Sequence, residues 1–331
     1  MKATSPLAPA TLASIQLPIR AELDAVFGEL GRIVRSDFPM VEDVSAHLLR
    51  MKGKLFRPTL LLLAARAVDR LSPVKVTLAA TVELIHIATL VHDDSVDHSA
   101  LRRGQPTINA IFSHQVAVIM GDYLYSRAIV ELVNLDDPEP LRVMSRVTTE
   151  MTVGEMRELE AYDALDYSED AYTALIRAKT ASLMSGACEV GATDADPALR
   201  AVLRRYGTHL GMAFQITDDV LDYTESERTT GKPSGLDLKE HKITLPLIAA
   251  LPRMTPAERE WVAALMRTPE PEDDAIADVI ESVSLRGGVE AARGRAAEYA
   301  DRAAEELEAL PAGRARDALA DCLVYAVARR S

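Results

Sequence analysis

"VKVTLAATVELIHIATLV", residues 74–91, is the stretch on which the fold turns. Its valines, threonines and isoleucines would suit a buried strand. Its length and its lack of turn residues favour a long buried helix, with Ser72 as N-cap and Pro73 at the first helical position. Apolar residues three and four apart recur in "IRAELDAVFGELGRIV", "VEDVSAHLLRM", "RPTLLLLAARAV", "VGEMRELEAYDAL", "AYTALIRAKTASLMSGACEV" and "VEAARGRAAEYADRAAEELEAL". Abundant alanine and few aromatics suit close helix packing, so an all-α fold is expected. Breaks fall at "LDDPEP", "ESERTTGKPSG" and "RTPEPEDD", none long enough to link domains. Residues 1–17 read as a flexible tail and 18–331 as a single domain.

A net charge of −13 argues against nucleic acid as a partner, because phosphate backbones require a basic face. Cys188 and Cys322 form no CxxC pair and read as buried small hydrophobes in a reducing compartment. The N-terminal residues match a signal peptide poorly, and the apolar runs are interrupted by Arg66, Lys75, Glu83 and His86. A cytoplasmic setting without a membrane span is the expectation.

The long helix runs into "LVHDDSVDHSALRRG", residues 90–104. On a helix Asp93 and Asp97 face the same way and Asp94 is rotated by about 100°. Such crowded carboxylates call for a cation, and Mg²⁺ prefers carboxylate, phosphate and water oxygens. "FQITDDVLDYT" repeats the pattern with Asp218, Asp219 and Asp222. Two clusters facing each other across a bundle would suit several metal ions and a diphosphate. Basic residues complete the constellation: Lys54 and Arg57 before a proline-started helix, Arg102 and Arg103 after the first cluster, Lys232 and Lys242 around a glycine-rich loop. His86 lies seven residues before Asp93, close to its helical phase. No nucleophile arrangement is evident, which leaves metal and electrostatics to carry the chemistry.

"GKLFRP", "ELIHIATLVHDDSVDHSALRRGQPT", "GDYL", "KTASL", "FQITDDVLD" and "GKPSGLDLKEHKITLPL", in this order from Gly53 onward, together resemble the trans-polyprenyl diphosphate synthases. The resemblance implies a helical bundle around a deep central cavity, usually a homodimer. It implies head-to-tail condensation of isopentenyl diphosphate with an allylic diphosphate, with Mg²⁺ as cofactor. Carried over by motif, Asp93, Asp97 and Asp218 would ligate Mg²⁺, with Asp94, Asp219 and Asp222 in or near that shell. Arg102, Lys179, Thr180, Gln215, Lys232 and Lys242 would hold the allylic diphosphate. Lys54, Arg57, His86 and Arg103 would hold isopentenyl diphosphate. Asp93, Asp97, Asp218, Arg102 and Lys179 would be the catalytic set.

One helical face leads back from Asp93 through Thr89 and Ala88 to Ile85, Leu84 and Thr81. Short-chain members similar to this chain carry bulky aromatics at the Ala88 or Thr89 position. The small residues here imply a product longer than farnesyl, hexaprenyl to nonaprenyl, with geranylgeranyl as the shorter option. Two positions depart from the family pattern: His241 stands where glycine is usual, and Glu158 where glutamine is usual. A class I terpene cyclase would share the first acidic motif but not its repeat, and a silent partner subunit would be expected to lose one cluster. A head-to-head synthase fits "GKLFRP" and "RRG" poorly.

Overall fold

The computed structural model describes residues 10–51, 53–102, 104–160, 168–224 and 235–328. In chain order these form α1 (Leu12–Gln16), a 3₁₀ turn (Leu17–Ile19), α2 (Arg20–Ile33), α3 (Pro39–Arg50), α4 (Phe56–Ala67) and α5 (Pro73–Val96). A two-residue hairpin of Leu101–Arg102 with Gln105–Pro106 follows, then α6 (Ile108–Ile111), α7 (His114–Val133), α8 (Glu139–Glu160) and α9 (Glu169–Ile176). A π-helical turn (Arg177–Ala181) joins α9 to α10 (Ser182–Gly191), and α11 (Pro197–Thr224) is next. The chain ends with α12 (Leu236–Lys239), α13 (Leu245–Ala250), a 3₁₀ turn (Leu251–Arg253), α14 (Pro256–Arg267), α15 (Asp273–Leu285), α16 (Gly288–Leu307) and α17 (Arg314–Ala328). The expected all-α class is therefore observed, the small hairpin being an unforeseen addition.

The 74–91 stretch lies within α5, with Ser72 at the N-cap position and Pro73 first in the helix, although the Ser72 side chain makes no capping bond. Leu78, Ala79, Val82, Leu84, Ile85, Ala88 and Val91 are buried on more than one face because α5 packs against α2, α4, α7 and α10. Its β-branched side chains thus find helical neighbours instead of strands. Among the described residues α5 alone is long and apolar enough to cross a membrane, but 61% of its most apolar window is buried inside the protein. Its buried Lys75 is satisfied by the Val190 carbonyl (3.2 Å), Thr193 Oγ1 (3.2 Å) and Asp194 (2.8 Å).

Two apolar clusters organise the molecule, and α11 belongs to both. Its first half places Val202, Leu203, Tyr206 and Leu210 with the core around α4, α5 and α10. Its second half places Ala213, Ile216, Val220 and Tyr223 with α13 to α16. Cys188 and Cys322 are buried, unbridged members of the first cluster, as expected of small hydrophobes.

The tail reading fails for the described part of residues 1–17. Thr11 and Ser14 form a capping box on α1, and Ile15 and Ile19 are fully buried. Gln16 Nε2 donates to the Lys54 carbonyl (3.1 Å) and to Thr59 Oγ1 (3.0 Å), bracing the "GKLFRP" turn. A one-and-a-half-turn helix is too short to show a period in the sequence.

Candidate active site

The first acidic cluster occupies the last turn of α5. Asp97 is the C-cap residue, its N–H donating to the Asp93 carbonyl (2.8 Å). The three carboxylates diverge as helical phase requires. Asp94 is buried and receives Arg102 Nε at 2.8 and 2.9 Å and Arg102 Nη2 at 2.8 Å. The Arg102–Gln105 hairpin pairing holds that guanidinium in place. Asp93 points instead into a cavity of about 400 Å³ shared with Glu155 and Lys179. Burial raises its carboxyl to about 7, Lys179 opposing the shift while Glu155 and Asp97 add to it. Asp97 lies 3.9 Å from Lys242 Nζ.

On α11, Asp219 is buried and accepts hydrogen bonds from Tyr172 Oη (2.5 Å) and Gln215 Nε2 (2.8 Å). Burial raises it to about 7 against those donors, with Asp218 and Asp222 adding repulsion. Thr180 Oγ1 donates to Gln215 Oε1 (2.8 Å), so Thr180, Gln215, Asp219 and Tyr172 form one chain of hydrogen bonds. The contact relies on close approach: a Cβ on Gly211 would lie 2.6 Å from Ala181 Cα, beside the π turn. Asp222 accepts from the N–H groups of Leu236 (3.1 Å) and Asp237 (3.0 Å), anchoring the start of α12. Asp218 is half-buried on the same helix.

Lys179 sits between Glu155 (2.8 Å) and Glu158, in ion-pair contact with both. Burial pulls its ammonium down, but Glu158, Glu155 and Asp93 outweigh this and hold it above its ordinary value. Lys242 is treated likewise: burial lowers it, while Glu240 (2.8 Å), Glu158 and Asp97 raise it more. Lys179, Thr180, Gln215, Asp219, Lys242 and Glu158 line one cavity of about 200 Å³. Most of the residues expected to hold the allylic diphosphate are therefore brought together with one member of the second acidic cluster. Lys232 lies outside the described residues.

His86, Asp94 and Arg102 share a third, smaller cavity with Gly53 of "GKLFRP". Lys54 is exposed and Arg57 half-buried, and neither lines that cavity; Arg103 lies outside the described residues. Ala88 and Thr89 line the 400 Å³ cavity with Tyr125, Thr148 and Thr152 of α7 and α8. Ile85, Leu84 and Thr81, expected further along the same path, are packed in the core and do not line it. His92 packs against α7, where a Cβ on Gly121 of "GDYL" would meet it at 2.2 Å. That contact gives the "GDYL" glycine its physical reason.

Residues missed by sequence reasoning include Tyr172, Glu155 and Asp237. Asp237 lines the 200 Å³ cavity, its carboxyl raised well above the ordinary range by burial and by Asp219 and Asp222. Glu155 was legible one turn before Glu158 in "GEMRELE", whereas Tyr172 carried no signal. His241 adopts a left-handed backbone (φ 59°), which explains why glycine suits this position. Among the described residues no three acidic or histidine side chains converge on one point. The donor chemistry nevertheless fits a hard divalent cation: all candidates are carboxylates, and burial together with neighbouring carboxylates drives Asp93 and Asp219 toward neutrality.

The family model described as polyprenyl synthetase matches residues 38–283. An all-trans-nonaprenyl-diphosphate synthase (geranyl-diphosphate specific) of Rhodobacter capsulatus is 39% identical over 317 residues, 95% of this chain and 97% of that protein. Component 2 of the heptaprenyl diphosphate synthase of Geobacillus stearothermophilus is 37% identical over 92% of this chain and 94% of that protein. A solved polyprenyl synthase from Caulobacter crescentus, complexed with calcium and isoprenyl diphosphate, superposes with a TM-score of 0.93 at 34% identity, covering 98% of this chain and 100% of that one. This chain therefore belongs to the polyprenyl synthetase family.

Proposed function

We propose that the chain condenses isopentenyl diphosphate with an allylic diphosphate, head to tail, to build a long all-trans polyprenyl diphosphate. The observation that carries this reading is the junction of two cavities at Lys179: one lined by lysines and Asp219, the other by Asp93 with the small residues Ala88 and Thr89. The first suits a diphosphate and the second an apolar chain growing away from it. Relatives named as heptaprenyl and nonaprenyl synthases support a product of hexaprenyl to nonaprenyl length.

In this reading Asp93, Asp97 and Asp218, with Asp94, Asp219 and Asp222 close by, would hold Mg²⁺. The cation would supply charge neutralisation for the departing diphosphate. Lys179, Lys242 and Arg102 bind the allylic diphosphate and stabilise it as its C–O bond breaks. Thr180 and Gln215 orient it. Lys54, Arg57, His86 and Arg103 hold isopentenyl diphosphate, whose double bond attacks the allylic cation. The proton then lost passes to the released diphosphate. Residues 18–331 act as one catalytic unit in a cytoplasmic setting.

A homodimer is proposed because Val118, Ile119, Val130 and Val133 form an exposed stripe along α7. The name "component 2" of the Geobacillus relative supports a second reading, a heteromeric assembly. Sizing the purified chain alone distinguishes these. The function itself is tested by incubating the protein with Mg²⁺, labelled isopentenyl diphosphate and geranyl, farnesyl or geranylgeranyl diphosphate, then sizing the dephosphorylated products. A ladder ending at hexaprenyl to nonaprenyl is expected. A stop at geranylgeranyl would overturn the chain length, and absence of metal-dependent elongation would overturn the reaction.

A further inference from the structure

A second basic cleft lies on the outer side of the π turn. It has a volume of about 380 Å³ and is walled by Arg146 and Glu150 of α8, Arg177 of the turn, and Arg204, Arg205 and His209 of α11. Four arginines against one lining carboxylate is a local reversal of sign in a chain whose net charge is −13. Two of them are already engaged: Arg146 pairs with Glu189 (2.5 Å) and Arg205 with Glu306 (2.6 Å). Arg177 and Arg204 make no side-chain ion pair or hydrogen bond among the described residues. His209 Nδ1 is buried and has no hydrogen-bond partner there. The site thus offers two unspent guanidinium forks, the bidentate donors that suit a phosphate-type oxyanion. A divalent cation would be repelled by the same walls.

We infer that this outer cleft binds a phosphate-bearing anion, at a site separate from the cleft that contains Lys179. The two sites share the π turn: Arg177 faces outward, and Lys179, two residues on, lines the inner cavities. Either a soluble diphosphate or the phosphate of an anionic lipid headgroup has the required chemistry.

Isothermal titration tests the inference, using protein whose inner sites are first filled with Mg²⁺, a non-ionising allylic thiodiphosphate and isopentenyl diphosphate. Inorganic pyrophosphate should then bind at one further site per chain, and R204E or R177Q should weaken it at least about tenfold. Both arginines are exposed, and melting curves of the two variants check that they fold. The D93A/D218A protein should retain this outer binding, so the result does not depend on the reaction proposed above. Co-sedimentation with phosphatidylglycerol vesicles assigns the source: capture lost in R204E, without uptake of free pyrophosphate, identifies a headgroup. Uptake of pyrophosphate without capture identifies a soluble anion. Binding of neither probe, or binding that both variants leave unchanged, overturns the inference.

Discussion

At the end of α5 and at the end of α11 the same acidic spacing is met by different counter-groups. In each, the second aspartate is sequestered: Asp94 by the Arg102 guanidinium, Asp219 by the neutral donors Tyr172 and Gln215. In each, the third reaches the same segment: Asp222 takes the amides of Leu236 and Asp237, and Asp97 faces Lys242. Among the described residues a guanidinium meets Asp94, whereas neutral hydrogen-bond donors meet Asp219. Burial nevertheless holds Asp219 near 7 despite its two donors, as it holds Asp93 on α5.

Replacing the leading aspartates tests whether that asymmetry reaches the chemistry. D93A and D218A should each lower incorporation of labelled isopentenyl diphosphate on the order of 10²–10³-fold, with the fold retained by circular dichroism. Equal losses would mean both clusters share the cation work; a loss in only one would break the parallel.

The next effect is on pH and metal. Asp93 and Asp219 bind protons up to about 7 in the folded protein, far above an unfolded aspartate. Between those values the native state holds more protons, so metal-free stability falls as pH rises from about 4 to 7 and levels off above. Melting temperatures in chelator should therefore drop from pH 5 to pH 8. Mg²⁺, which binds the deprotonated carboxylates, should reduce that drop.

Smaller differences separate the sequestering groups. R102A takes the guanidinium bonds away from the buried Asp94 carboxylate and should cost about 2–3 kcal/mol in denaturant titrations, part of the guanidinium being exposed to screening solvent. Y172F leaves Asp219 its Gln215 donor and should cost about 1 kcal/mol. A larger loss for Y172F than for R102A would reverse the comparison.

Much of this was legible in the chain. Residues 74–91 read as a helix because no turn residue interrupts them, and helical phase alone separated Asp94 from Asp93 and Asp97. Phase does not say which neighbour arrives at each face. The grip of Arg102 on Asp94 therefore stayed hidden. The same holds for Tyr172, delivered from a helix 47 residues away in sequence. Gln16 and Ile15 were lost in a stretch too short to show a period. That the cavity is lined by Tyr125, Thr148 and Thr152 and not by Ile85 or Thr81 depends on the neighbouring helices, which a one-helix projection cannot contain.

The position of Lys179 among Asp93, Glu155 and Glu158 has a consequence for the metal-free enzyme. The cleft behaves like an ion-exchange resin whose resting counter-ion is tethered to the chain and cannot wash out. Its carboxylates stay assembled without magnesium. A metal-diphosphate entering the cleft would exchange with that ammonium group and free it for the phosphate oxygens.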